Sequence, residues 1–257
     1  MNEQGEKSGA RFAIILMVIV LLVAGYCVEF GLQTLTWIEA NHWAKTSPWL
    51  RDVPQSIAAP TAAAKGTQVR AYIYEFMSPW GVAKETPTLG HTQFRFAPGQ
   101  VVTFYDPDAQ LDTLTVLKTA NPLEYQKFAN LFVGHPINSN YEMYQAVYSV
   151  SPAQLSPVLH QRDALRLNVL LLWKLSFGFD LEPEGNTSIF SFDFGRNRGF
   201  QFGDPAKGIP VAVRVFDDRD RQFRFIFTVA AGTNAKFTQD DINLAVQTLQ
   251  PIPMMER

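Results

Sequence analysis

The chain has 257 residues with 22 basic and 24 acidic side chains, and its formal net charge of −2 excludes a general electrostatic attraction to nucleic acid. At 47% hydrophobic and 18% charged, with 20 Phe, it excludes a disordered composition and is long enough for a real core. Its single cysteine, Cys27, excludes an internal disulfide and leaves no thiol nucleophile downstream.

Residues 12–28, FAIILMVIVLLVAGYCV, carry no charge. At about 1.5 Å per residue they span about 25 Å, close to a hydrocarbon core of about 30 Å, and the apolar character continues through Phe30, Leu32 and Leu35. This predicts a single-pass transmembrane signal anchor over 12–35, carried by Phe12, Ile15, Ile19, Leu22 and Tyr26, with Trp37 at its interface. Tyr26 before Cys27 excludes a lipoprotein signal, and cleavage after Gly25 is the rival to retention. Lys7 and Arg11 precede the span and no basic residue follows before Lys45. That bias predicts a cytoplasmic tail (1–11), insertion in the cytoplasmic (inner) membrane, and a periplasmic or extracellular remainder. Residues 36–66, broken by Pro48, Pro54 and Pro60, read as a juxtamembrane stalk, and 67–257 as one extracytoplasmic domain.

Within that domain QVRAYIYEF (68–76) alternates like one strand, and 78–90 is turn-rich. HTQFRF, QVVTFY and DTLTVLK (112–118) read as further strands. The middle is helical: Asn121 with Glu124 and Gly134 bounds one helix, 140–150 forms a second, and 162–179 a third. Period two then returns. Phe190, Phe192 and Phe194, Val211, Val213 and Val215, and Phe223, Phe225 and Phe227 mark an antiparallel meander with one apolar face. Thr238 caps a closing helix with Asp240 and Asp241 in its first turn. The sum is an α+β domain with helices packed on an antiparallel sheet. Its element order resembles the α/β/α sandwich of the Mog1/PsbP-like proteins, which also place antiparallel strands ahead of a closing helix. That resemblance rests on no shared motif and transfers no function.

No HExxH, CxxC, GxSxG or Walker A pattern occurs, and His42, His91, His135 and His160 stand apart from any second ligand at metal spacing. Thr115 and Lys118 have a Thr-x-x-Lys spacing, but on a strand they face opposite ways. No residue is assigned to catalysis, a cofactor or a metal. GRNRG (195–199) sets Arg196 and Arg198 on a tight turn, which is either a solvated hairpin tip or an anion contact. DDRDR (217–221) is a charged turn, with a cation site from Asp217, Asp218 and Asp220 as its alternative. Alternation puts Asp193, Arg214 and Arg224 on the polar sheet face, where they form a cross-strand ion pair or, with Tyr72 and Tyr74, a partner surface. Arg196, Arg198, Arg214 and Arg224 are thus the candidate partner or anion contacts. Asn186-Thr187-Ser188 is a glycosylation sequon by letter.

These features together predict a non-catalytic, membrane-anchored accessory or assembly subunit of a membrane protein complex, with the lipid bilayer and a membrane protein as partners. An anchored domain binding a small ligand or the cell envelope is the alternative. A hydrolase with a dispersed site is the third reading.

Overall fold

The computed structural model describes residues 3–60, 65–105, 113–120, 122–132, 136–178 and 188–252, with the backbone alone over 3–16. The amino-terminal segment is one helix, α1 (Glu3–Thr46), running without a proline until Pro48 stops it. Gln33, Thr36, Ala40 and Ala44 are buried, and their spacing of three and four draws one stripe along its carboxy-terminal half. The expected anchor and the first part of the expected stalk therefore belong to a single element.

Among the described residues no helix is long and apolar enough to cross a membrane. This corrects the single-pass signal anchor over 12–35 and the inner-membrane placement built on it. Among the described side chains Met17, Ile19, Val20, Leu21, Leu22 and Val23 are exposed. Beyond them Gln33 and Thr36 are buried against protein, and Glu39 and Lys45 are exposed. Of the anchor residues, Ile19, Leu22, Tyr26 and Trp37 are exposed, while the side chains of Phe12 and Ile15 lie outside the described residues.

A 3-10 turn at Pro48–Arg51 buries Trp49 and Leu50, and β1 (Gln55–Ile57) follows. The strand predicted over 68–76 is in fact a hairpin of β2 (Thr67–Ala71) and β3 (Tyr74–Ser78), with Ala71 paired to Tyr74. Tyr72 turns the chain at φ 56, with Tyr72 and Ile73 exposed. Apolar character at 72, 73 and 74 hides the switch of the buried set from Val69 and Ala71 to Tyr74 and Phe76. The turn-rich stretch contains β4 (Ala83–Thr88), and β5 (His91–Phe96) and β6 (Gln100–Tyr105) form as predicted. β4 is an edge strand whose Lys84, Glu85 and Pro87 weaken its strand signal and blunt the edge against further pairing.

The strand predicted over 112–118 is a helix, α2 (Thr113–Ala120). Its β-branched residues favour a strand, but the Leu114 N–H donates to Asn140 Oδ1 at 3.1 Å and Thr119 back-bonds to the Thr115 carbonyl at 2.8 Å. A tertiary cap outweighs local propensity here. α3 (Pro122–Leu131), α4 (Asn140–Ser149) and α5 (Gln161–Gly178) match the three predicted helices. Asn121 and Gly134 lie outside the described residues. The meander follows as β7 (Ile189–Asp193), β8 (Arg198–Phe202), β9 (Val211–Phe216) and β10 (Gln222–Val229). α6 (Gln239–Gln247), capped by Thr238 in a capping box with Asp241, and β11 (Gln250–Pro251) close the chain.

The main sheet has eight strands in the order β1-β7-β8-β9-β10-β6-β5-β4 and is mixed, because β1 pairs parallel to β7. A separate sheet, β11-β3-β2, packs with α6 on the face that carries Phe192, Val213 and Phe225. Helices α2 to α5 and the end of α1 pack on the other face, over Ile189, Phe200, Phe202 and Ala212. The predicted antiparallel sheet under helices is therefore corrected to a large mixed sheet with a second small sheet on one side. The extra strand comes from the stretch read as stalk.

Two buried positions make close contacts on which this packing depends. A Cβ on Gly199 would lie 2.0 Å from the Arg214 carbonyl oxygen and 2.8 Å from the Phe192 ring. Gly199 therefore serves a close approach within the main sheet, between β8 and its neighbours β7 and β9. Lys174 on α5 is fully buried, and its ammonium donates to the carbonyl oxygens of Leu50 (3.2 Å), Asp52 (2.5 Å), Tyr148 (3.1 Å) and Val150 (2.8 Å). It ties the turn after α1 and the end of α4 to α5. Burial pushes its pKa from 10.5 down to about 8, with the charge of Asp52 pulling the other way. Between those two values the unfolded chain holds the proton and the folded chain releases it, so this group makes stability rise with pH across that window.

Gly199→Ala is expected to lower unfolding stability by about 2 kcal/mol or more, read from the urea midpoint. Lys174→Met, which strands four carbonyls, is expected to cost about 2–4 kcal/mol at pH 7. It should also abolish the Lys174 share of the stability gain between about pH 8 and pH 10, measured as wild type minus variant.

Candidate functional site

Two of the three hairpin tips of the meander, those joining β7 to β8 and β9 to β10, reach helix ends. In GRNRG the turn is made by Gly195 at φ 81, whose N–H donates to Asp193 Oδ1 at 2.9 Å. The residue the fold uses there is Asn197, which is buried. Its Nδ2 donates to the carbonyl oxygens of Val246 (2.9 Å), in the last turn of α6, and Leu249 (2.8 Å), just beyond it. In the second tip Asp217 accepts from the N–H groups of Arg219 (3.0 Å) and Arg221 (2.9 Å) and from Arg221 Nε (2.7 Å). Burial works against the Arg221 charge, but the hydrogen bond and charge of Asp217 more than offset it and raise its pKa. Asp220, at φ 60, accepts from the N–H groups of Asn140 (2.6 Å) and Tyr141 (3.0 Å), the first donors of α4. Asp217 and Asp220 are thus engaged by N–H groups, and among the described residues no three side chains gather as a metal site. Asp218 lies 4.0 Å from Arg196, joining the tips loosely.

The candidate arginines divide. Arg196 stays at the exposed tip, while Arg198, Arg214 and Arg224 share the helix-facing side of the sheet, as the register places them. Each lies over a tyrosine ring: Arg198 over Tyr141 at 4.1 Å, Arg214 over Tyr144 at 4.4 Å, and Arg224 over Tyr105 at 5.2 Å. Burial raises the Tyr141 pKa, Arg198 opposes that rise and Asp193 adds to it. Asp193 stands opposite Arg198 in the register. Arg214 is only 6% exposed; its Nη1 donates to Tyr144 Oη at 2.6 Å, and among the described residues it has no ion pair. Sequence alternation finds Arg214 and Arg224, and the turn supplies Arg198. The tyrosine partners are missed, because Tyr141 and Tyr144 come from α4, whose packing the strands do not encode.

Two other features are accessible to partners. A cavity of about 560 Å³ opens between the ends of α3, α4 and α5, walled by Phe132, Ile137, Leu167 and Leu170, with Ser149, Gln154 and Arg166 among its polar lining. That size suits a small molecule, and Arg166 is held by Asp163 at 3.3 Å. The amino-terminal part of α1 exposes Met17, Ile19, Val20, Leu21, Leu22 and Val23, each between 51% and 68% accessible.

The remaining candidates scatter. His42 and His160 are exposed, and His91 packs on Tyr105 at 5.3 Å. His135 lies outside the described residues, as do Asn186 and Thr187 of the sequon. Thr115 and Lys118 sit on α2, both exposed. Tyr72 is in the exposed turn, and Tyr74 is buried with its hydroxyl accepting from Arg221 Nη1 at 3.0 Å.

Compared with protein-family models, with curated proteins and with solved structures, the chain matches none. The Mog1/PsbP-like resemblance therefore goes no further than element order, and any functional reading rests on the geometry of this chain.

Asn197→Ala is expected to cost about 1–3 kcal/mol in urea unfolding, because it removes two buried hydrogen bonds between the β7–β8 turn and the end of α6. Arg196→Ala, one residue away, should stay within about 0.5 kcal/mol of wild type.

Proposed function

We propose that the chain is a non-catalytic accessory or assembly subunit that docks a partner protein through the projecting part of α1. The observation behind this is the apolar run from Met17 to Val23, exposed at nearly consecutive positions. Consecutive positions point to all sides of a helix, so no single groove covers them. A helix apolar all round is stable only when surrounded, as in the interior of a helical assembly. A run of this size exceeds the scattered apolar exposure of an ordinary surface. The other half of the helix is packed on the domain at Gln33, Thr36, Ala40 and Ala44, so the docking end is held by a folded body.

The test is photocrosslinking from Leu21 in full-length protein in its native cells, with the crosslinked site mapped on the partner. One partner in stoichiometric yield, crosslinked through an apolar helix, is the expected result. The doubly charged variant Ile19→Asp with Leu22→Asp should lose that partner at least tenfold while the unfolding temperature of the domain is unchanged. Wild type that yields no partner, or purified protein that instead partitions into phospholipid vesicles through the same residues, would sink the reading.

A further inference from the structure

The helical layer is not closed where α3, α4 and α5 end. The cleft of about 560 Å³ there has a floor of Phe132, Ile137, Val150 and Leu170, all buried and all part of the core that covers this face of the sheet. Native interiors leave few voids larger than a water molecule. Here the wall on α4 is Ala146, whose methyl leaves the space open. The volume falls among those of small-molecule sites, about 300–1,000 Å³. The polar groups stand at the rim: Ser149 and Gln154 are exposed and Arg166 is half-buried. Among the described residues Arg166 is the one charged side chain of the lining. Its Nη2 lies 3.3 Å from Asp163 Oδ1, a single contact between groups that are 26% and 44% exposed. A pair that open to water is weak, and a single contact leaves the rest of the guanidinium fork for a second acceptor. Arg162, one turn earlier on α5, donates to the Asn130 carbonyl of α3 and keeps the local balance positive against Asp163. Gln154 Oε1 accepts the Ser151 N–H at 3.0 Å, which orients the amide and leaves its NH₂ end to donate.

From this we infer that the cleft binds a small monocarboxylic acid with a hydrocarbon body. The hydrocarbon lies over Phe132, Ile137 and Leu170, and the carboxylate meets Arg166 and Gln154 at the rim. Burial of the chain on the apolar floor supplies the affinity, and the rim sets the orientation. The charge selects the head group. One cation, already shared with Asp163, answers one negative charge, which favours a carboxylate over a phosphate dianion. The planar fork of Arg166 matches the two oxygens of that carboxylate. The inference does not rest on the docking of α1 and stands without it.

The experiment titrates full-length protein by calorimetry with octanoate in one arm and, in the other, with octanamide, which has the same hydrocarbon body and no charge. Saturable one-to-one binding of octanoate is expected, at least about fivefold tighter than that of octanamide. Arg166→Gln should bring octanoate down to the octanamide level. Ala146→Leu, which fills the cleft, should weaken both at least about fivefold. Ile19→Asp with Leu22→Asp should leave both unchanged, which separates the cleft from the apolar run of α1. If a cleft variant does not fold, the preference of the wild type for octanoate and its survival in the α1 variant decide. Absence of saturable octanoate binding, octanamide bound as tightly as octanoate, binding that the α1 variant removes, or binding that neither folded cleft variant weakens overturns the site.

Discussion

The hydrogen bonds made by two hairpin tips hold the layers of this protein in place. Asn197 offers donors to the carbonyl end of α6, and Asp220 offers a carboxylate to the amide end of α4. Each tip supplies the sign that its helix end lacks. The two helices lie on opposite faces of the same sheet, so the meander is clamped from both sides through its turns. Asn140 extends the chain of caps by accepting the Leu114 N–H, which sets the start of α2 as well. With these in place, the Phe and Val rows on one face and the Arg and Tyr rows on the other have fixed neighbours.

Lys174 does for the periphery what the tips do for the centre. Four carbonyls from three segments converge on one ammonium, at the junction of α5 with the end of α4 and the turn after α1. That junction lies beside the buried stripe of α1, so the orientation of the whole amino-terminal helix depends on a buried cation. The sheet face and the helix junction both use basic groups inside the fold. At Lys174 backbone dipoles answer the charge, whereas at Arg214 a phenol and a ring answer only part of it.

Much of the fold was legible where period and burial coincide. Phe223, Phe225 and Phe227 alternate because one face of β10 is covered, and α4, α5 and α6 follow from apolar spacing. What failed was decided at a distance. Residues 112–118 read as strand by β-branching, but Asn140 caps them as a helix. The hairpin at Tyr72 left no glycine or proline to announce it. For the candidate site, alternation places Asp193, Arg214 and Arg224 on one face, and the register adds Arg198, which the sequence assigns to the turn. The sequence also draws attention to the arginines of GRNRG when the asparagine between them makes the contact. No local pattern names the helix that such an asparagine caps. The apolar amino terminus reads as a membrane span by its uncharged length and flanking basic residues, and nothing in that run encodes the packed stripe at Gln33, Thr36, Ala40 and Ala44.

The register of the sheets sets a timetable for synthesis. Gln55 pairs with Phe190, Tyr105 with Arg224, and Tyr74 with Pro251. Each of these seams joins the first half of the chain to its last third, so none can close until most of the protein has left the ribosome. Helix α1 is made before any of these seams can close, and its exposed residues from Met17 to Val23 stay in water for that whole interval.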